Sequence, residues 1–286
     1  MFAILLGVLA ALSWSVHDLM ARSLAARIGP VRMSIAVMVS GGVFVFLVVL
    51  YRGQLWTADR QGIMAGLLLG VAYGMGVGGL FKAFSLGPIS LVGPVTAAYP
   101  VLTVLWNVAM GLSPSAIQWL AIALVILGAT IVARSGHADG GINIVPKRDV
   151  VPLFFFCIVA SIGYAASIII GQKAGVYLGE YEATFVSRFT STLVLLPFLL
   201  GEAKPSPLQA RHWLGIAAMS LLDVIGLTAI NLSGFMPGRE FAGIGISSYG
   251  GLAVILAALV LKEKVSLVQC FGIILIVGGV MALALS

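Results

Sequence analysis

Two aspartates carry the chemistry open to this chain. Asp223 stands in Ser-Leu-Leu-Asp-Val-Ile-Gly (220–226) and Asp18 in Ser-Trp-Ser-Val-His-Asp (13–18), both inside long apolar stretches. An ionised Asp at the centre of a spanning helix costs roughly 2.5–3.5 kcal/mol on insertion scales, so such a residue faces a cavity or a partner. An embedded carboxyl that water can reach is able to hold a proton and a substrate in turn. Asp18 and Asp223 are therefore the proton-coupling candidates, because Asp59, Asp139, Asp149 and the glutamates fall in loops or at helix ends. His17, beside Asp18, adds a second titrating group. Trp14, Asp18 and Arg22 form an i, i+4, i+8 row on one helix face, so Arg22 offers Asp18 an intrahelical ion pair. Asp223 has Met219, Ser220, Gly226 and Leu227 at those spacings and no cation among them. On this reading Asp223 ranks first as the proton site and Asp18 as a substrate contact.

Aromatic residues supply candidate walls. Tyr99-Pro100 and Ser247-Ser248-Tyr249-Gly250-Gly251 occupy corresponding places in two apolar segments. Pro100 frees backbone groups on its helix and the glycine pair softens the other, and matched helix interruptions point to a transporter's binding site. The expected substrate-binding set is Trp14, Asp18, Tyr73, Tyr99, Ser247 and Tyr249, with Trp106 and Tyr164 as further wall candidates. Arg32 and Arg188, near expected helix starts, suit an orientation or interface role rather than transport chemistry.

The elements that must position these residues follow from composition. The chain has 286 residues, 60% of them AVILMFWYC and 9% DEKR, with a mean hydropathy of +1.13. A soluble domain carries roughly 25% charged residues, so the reading is an all-α integral membrane protein with the lipid bilayer as its partner. The +6 net charge is scattered Lys and Arg at helix ends and forms no nucleic-acid patch. Cys157 and Cys270 lie in apolar runs and read as free thiols. The apolar run from residue 2 continues past Leu12 and reads as the first span rather than a cleaved signal. Apolar windows predict ten transmembrane helices near 2–25, 30–51, 60–85, 88–111, 114–134, 150–176, 181–200, 211–232, 240–261 and 265–285. At about 20 residues per span, ten spans leave room for tight loops and no separate soluble domain. Ser113 is the expected cap of the fifth helix, with Pro30, Pro88 and Pro114 in or near first turns.

The polar stretch 135–149 splits the chain into halves at 1–134 and 150–286. Adding 150 maps Tyr73 to Asp223, Gly93 to Gly243 and Tyr99 to Tyr249, and adding 151 maps Gln118 to Gln269 and Gly128 to Gly279. Five helices per half would leave the second copy upside down, as two inverted five-helix repeats, a recurrent plan of secondary transporters with a midplane site. Gly62, Gly66, Gly70, Gly74 and Gly78 form a small-residue ridge for close helix packing. Gly74-Met-Gly76-Val-Gly78-Gly79 spells G-x-G-x-x-G but follows no strand, so it is no dinucleotide site. No zinc spacing, H-E-x-x-H, nucleophile–His–acid set or Walker loop occurs. Enzymatic activity, a metal and a bound cofactor are therefore not expected.

The passage Leu-Val-Leu-Lys-Glu-Lys-Val-Ser-Leu-Val-Gln-Cys-Phe-Gly (259–272), continuing to the C-terminal glycine-bearing helix, resembles the end of an EamA domain, with Glu263 in the turn. Leu12-Ser-Trp-Ser15 resembles that family's first-helix signature, and Arg32 and Arg188 match its second-helix Arg. The resemblance spans both halves, although Leu112-Ser113-Pro114 stands where the first turn Glu would be. It implies a ten-helix member of the drug/metabolite transporter superfamily that moves a small metabolite across the plasma (inner) membrane, in the export direction, with both termini inside. Sorting Lys and Arg by alternate connections puts 11 on one side and 5, with the termini, on the other. The positive-inside rule would then place the termini outside, and both orientations stay open. The expected function is proton-coupled secondary transport. A gradient-independent facilitator or channel and a non-transporting assembly subunit stand as the alternatives.

Overall fold

Backbone polar groups with no water to bond must bond within their own segment, and long Leu/Ile/Val/Ala runs cut by turn residues meet that demand as helices. A computed structural model describes residues 2–52, 60–109, 111, 113–135, 145–202, 209–236 and 242–285, and among these every regular element is helical. The first half comprises α1 (Phe2–Ile28), α2 (Pro30–Arg52), α3 (Arg60–Leu86), α4 (Ile89–Thr96), α5 (Pro100–Ala109) and α6 (Ala116–Ser135). The second comprises α7 (Lys147–Leu178), α8 (Glu180–Leu195) with a 3-10 extension (Leu196–Gly201), α9 (Ala210–Ser233), α10 (Ala242–Ser247), α11 (Tyr249–Val260) and α12 (Leu267–Leu285).

The expected windows and these helices coincide to within a few residues, with two exceptions that lie at the expected interruptions. The window 88–111 is delivered as α4 and α5, separated by a turn at residues 97–99. There the amides of Ala98 and Tyr99 bond back only three residues, to Val95 and Thr96, ahead of Pro100, which has no N–H to offer. The window 240–261 is delivered as α10 and α11, broken at Ser248 rather than at Gly250-Gly251. The expected cap at Ser113 is corrected as well. Ser115 accepts from the Gln118 amide while Gln118 accepts from the Ser115 amide, a reciprocal capping box that starts α6. Ser266 and Gln269 repeat it at the start of α12.

Among the described residues, six segments are long and apolar enough to cross a membrane: residues 2–22 within α1, then α2, α3, α7, α8 with its extension, and α9. Their outward faces are apolar, as lipid requires. Phe2, Leu5, Leu9, Leu12 and Val16 form an exposed stripe on α1 at alternating spacings of three and four, while Ala3, Ala10, Ala11 and Ala21 face inward.

Small residues set the inward packing. The α3 glycine ridge lies on α8 and on the end of α7: Cβ atoms at Gly62, Gly66, Gly74 and Gly78 would meet Leu178, Val186, Ser191 and Leu195. Gly163 of α7 touches the α3 backbone, where a Cβ would sit 2.6 Å from the Ala72 carbonyl oxygen. Two corresponding pairs, α2 with α8 and α6 with α12, pack antiparallel, and the two broken helices meet through α4 and α11. Gly128 and Gly279 lock α6 against α12, facing Ile276 and Val125 respectively. Gly93 and Gly250 bring α4 and α11 together, against Ala253 and Ala97. Along α2 and α8, contacts run from Val31 with Glu202 to Arg52 with Glu180.

Gly163→Val pushes three further heavy atoms into the α3 backbone, an overpacking cost of about 1–3 kcal/mol. Gly278, with no neighbour within 4 Å of a built Cβ, is the control. Thermal denaturation in detergent should show a melting temperature several degrees lower for Gly163→Val and near the parent's for Gly278→Val. Equal melting temperatures would show that the α3–α7 approach does not limit stability.

Candidate functional site

The side chains singled out by sequence converge on one cavity near the middle of the helices. It is lined from α1 by Trp14, His17 and Asp18, from α3 by Tyr73 and Leu80, and from the α4–α5 passage by Thr96 and Tyr99. The second half supplies Tyr164, Ser167 and Ile168 of α7, Asp223, Leu227 and Ile230 of α9, and Ile246 and Tyr249 at the α10–α11 break. Neither α6 nor α12 contributes a lining residue among those described. Ser247 and Trp106 have side chains outside the described residues. The cavity volume is about 40 Å³, room for a few waters at most.

Two polar clusters share this space. In the first, His17 Nδ1 lies 2.8 Å from Asp18 Oδ1, and the Tyr249 hydroxyl donates to Asp18 Oδ2. His17 stacks on Phe81 with ring centroids 5.5 Å apart, and its Nε2 is buried with no partner among the described residues. In the second, Asp223 Oδ1 accepts from Trp14 Nε1 at 3.1 Å and from the Tyr73 hydroxyl, while Oδ2 accepts from Arg188 of α8. The guanidinium also lies 4.8 Å over the Tyr73 ring and contacts Met38 Sδ at 3.2 Å. Asp18, Asp223 and Arg188 are each 1–2% exposed.

Three expectations are corrected by this geometry. Arg22 does not pair with Asp18, because its guanidinium donates to the Phe84 carbonyl at 2.5 Å. Asp223 has an ion partner, which comes from another helix and so escapes any i±3 or i±4 search. Arg188 is not an interface residue at a helix start: it lies two turns into α8 and is the largest fully buried side chain described. The signal that could have found it is charge balance, since a buried aspartate without a local cation calls for one at similar depth. Glycines form the other unforeseen part. Gly226 makes room for the Trp14 indole and Gly76 for the Tyr164 ring, where added Cβ atoms would come within 2.7 and 3.0 Å.

The lining is nearly closed under the offset of 150. Trp14 and Tyr164, His17 and Ser167, Asp18 and Ile168, and Tyr73 and Asp223 are mates. Leu80 and Ile230, Thr96 and Ile246, and Tyr99 and Tyr249 complete the set. Mates also touch: Tyr73 bonds Asp223 and Met38 bonds Arg188, each pair 150 residues apart. The cavity therefore sits where the two halves meet across their internal symmetry.

Apolar outer faces, helices of spanning length and an enclosed polar centre define an integral membrane protein. Residues 1–134 and 152–285 each match the EamA-like transporter family, and the chain belongs to that family. A protein of Synechocystis sp. described as an uncharacterized transporter is 27% identical over 203 residues, covering 69% of this chain and 59% of that protein's own length. A crystal structure of another protein superposes with a TM-score of 0.68 at 20% identity, covering 98% of this chain and 95% of that one. That likeness speaks to the fold alone.

Removing Arg188 leaves Asp223 buried without its cation, which costs about 3–5 kcal/mol for a pair of this kind, whereas an apolar replacement of both partners is often near neutral. Arg188→Met should therefore lower the melting temperature in detergent far more than the double variant Arg188→Met, Asp223→Leu. Additive losses across that cycle would mean the pair carries no mutual interaction.

Proposed function

We propose that the chain is a secondary transporter of a small metabolite, working by alternating access around the central cavity and coupled to protons. On this reading it has ten spans, with α4–α5 and α10–α11 each crossing as a broken helix. The spans form two inverted five-helix repeats, 1–134 and 150–286, joined by 135–149. Antiparallel packing of corresponding helices supports the inversion, because a unit with five crossings returns to its starting geometry only upside down. Location in the plasma membrane and export as the working direction rest on the family alone.

The observation that carries the reading is a pair of buried carboxylates on one cavity, one held by a guanidinium and the other bonded, among the described residues, to His17 and a phenol. Asp223 is fixed as an anion by Arg188. The titrating role accordingly moves to Asp18 and His17, reversing the order expected from sequence. Trp14, Tyr73, Tyr99 and Tyr249 form the walls against which a solute is held.

The test uses proteoliposomes holding a pH-sensitive dye and presented with an amino acid, a sugar, a nucleoside and an amphipathic cation. A transported solute should move protons with it and accumulate under an imposed pH gradient. Asp18→Asn should keep downhill exchange of that solute and lose accumulation by at least tenfold. A parent protein that equilibrates the solute without ever concentrating it is a facilitator. Parent-like accumulation by both Asp18→Asn and Asp223→Asn would make the carboxylates structural and the coupling scheme wrong.

A further inference from the structure

At one end of the bundle the two halves are tied by bonds that the internal symmetry does not repeat at the other. The α2 N-terminus, opened by Gly29 at a φ of +94°, holds the Glu202 carboxylate of the opposite half. The Val31 amide donates to Oε1 at 2.8 Å and the Arg32 amide to Oε2 at 3.0 Å, while the Arg32 guanidinium reaches Oε2 at 3.4 Å. Gly29 is the cradle, since a Cβ there would come within 2.5–2.8 Å of the carboxylate atoms. The Glu263 carboxylate holds the α4 N-terminus in the same way, accepting from the Ile89 amide at 3.2 Å and the Ser90 amide at 2.9 Å. Both clamps run from the second half onto the first, and each sets a charged acceptor on two orphan donors at the positive end of a helix dipole.

The offset of 150 pairs Gly29 with Gly179, Arg32 with Glu182, Arg52 with Glu202 and Ser113 with Glu263. Gly179 makes the matching turn before α8, at a φ of +96°. The carboxylate that a Cβ there would strike belongs to Glu182, in the first turn of α8 itself. That cradle is therefore filled from within its own helix and makes no tie across the halves. Arg52, where the repeat would put Glu202, has donors only and cannot accept from an amide. It pairs instead with Glu180 at 3.2 Å, its side chain 38% exposed against 11% for Glu202. Ser113, where the repeat would put Glu263, is neutral and exposed.

From this asymmetry we propose that Glu202 and Glu263 are the two latches of a gate at their end of the bundle, and that the chain without a solute keeps that mouth shut and opens at the Arg52–Glu180 end. The gate rests on the transporter reading above and adds the control of access to the same cavity. Alternating access rocks one repeat against the other about the site, so identical repeats would make the two mouths equally easy to open. Here they are unequal. Opening the latched mouth strips the amides of Val31, Arg32, Ile89 and Ser90 of charged acceptors, whereas opening the other parts a half-exposed ion pair of small worth. The latch at Glu263 also acts on the cavity directly. It fixes the first turn of α4, whose last residue, Thr96, lines the cavity together with Tyr99 just beyond it, so release at Glu263 frees a wall as well as a mouth.

The experiment measures distances between spin labels by pulsed electron–electron resonance, on the full chain in proteoliposomes with no solute present. One pair spans the latched mouth (Lys82→Cys with Lys264→Cys) and another the opposite mouth (Tyr51→Cys with Tyr177→Cys), with Cys157→Ala and Cys270→Ala as background. The parent should give a single short distance at the latched mouth and both short and long distances at the other. Glu202→Gln with Glu263→Gln keeps side-chain size and removes both charges, and should raise the long-distance population at the latched mouth about tenfold or more. Gly29→Ala leaves Glu202 in the chain but fills its cradle, and should shift the same distance in the same direction. Gly179→Ala, with equal backbone strain at the other end, and Arg52→Gln should leave the latched mouth as in the parent. A long-distance population there in the parent, or parent-like distances in the double Gln variant, would overturn the proposal. A lower melting temperature without a change of distance would overturn it too, because a cap that only stabilises its helix moves no mouth. Failure of the two readings is separable. A mouth that widens in a chain that never moves a solute sinks transport and keeps the latches, whereas unchanged distances in variants of a chain that accumulates solute sink the latches alone.

Discussion

The ion pair between Arg188 and Asp223 is the constraint on which the centre of this protein depends. It takes its partners from α8 and α9, draws in Tyr73 from α3 and Trp14 from α1, and rests on Met38 of α2. Five helices of the bundle are thus fixed by one buried network. Two charges removed from water need their remaining hydrogen-bonding capacity met: Asp223 has donors on both oxygens, whereas Arg188 Nε and Nη2 are buried without a partner among the described residues and the guanidinium lies over the Tyr73 ring instead. The same pairing fixes the electrostatics of the cavity. By neutralising Asp223 from behind, Arg188 leaves Asp18 and His17 as the local imbalance.

Around that network the halves are joined by a second kind of contact, at the ends of the helices. The Glu202 carboxylate, at the end of the α8 extension, accepts from the Val31 and Arg32 amides that open α2. The Glu263 carboxylate, in the turn after α11, accepts from the Ile89 and Ser90 amides that open α4. Each carboxylate satisfies two orphan donors at a helix N-terminus and meets the positive end of its dipole. Both lie at one end of the bundle, the end where Arg22 of α1 reaches the Phe84 carbonyl of α3. The opposite end of α2 and α8 has the Arg52–Glu180 pair at 3.2 Å, more open to solvent. Such a half-exposed pair contributes about 0–1 kcal/mol, so one end is tied more firmly than the other.

Much of this was legible in the sequence because it follows from short-range rules. Helix windows follow from apolar run length, the α4–α5 break from Pro100, and the close packing of α3, though not its partner, from glycines at every fourth position. Asp18, Asp223 and Tyr249 stood out because polar groups inside apolar spans are expensive. What could not be read are the relations between helices. Arg188 is 35 residues from Asp223, and no spacing rule joins α8 to α9 across a connection. Arg22 met its nearest sequence candidate, Asp18, on paper and a carbonyl of α3 in space. Gln118 and Gln269 were visible as a matched pair, but their shared task as capping-box partners needed the backbone. Gly226 and Gly76 read as ordinary glycines until the rings they admit were in view.

The internal symmetry also limits what the site could become. A residue that meets its own repeat mate across the shared axis cannot carry the same charge in both copies, because like charges in contact at low dielectric repel without relief from water. Tyr99 and Tyr249, both neutral, can remain identical. Tyr73 and Asp223 could not both be ionised aspartates, and two arginines at 38 and 188 would repel without a further anion, since in each case the mates are in direct contact. Divergence at these positions relieves that repulsion once one half acquires a charge, and the neutral mate then serves it. Tyr73 donates its hydroxyl to Asp223 and lends its ring to the guanidinium, and Met38 offers a polarizable sulfur to the same group. Off the axis the requirement lapses, and His17–Asp18 against Ser167–Ile168 shows a charge placed on one wall alone. The duplicated fold supplies two matching walls, and contact between mates dictates that the chemistry between them is single.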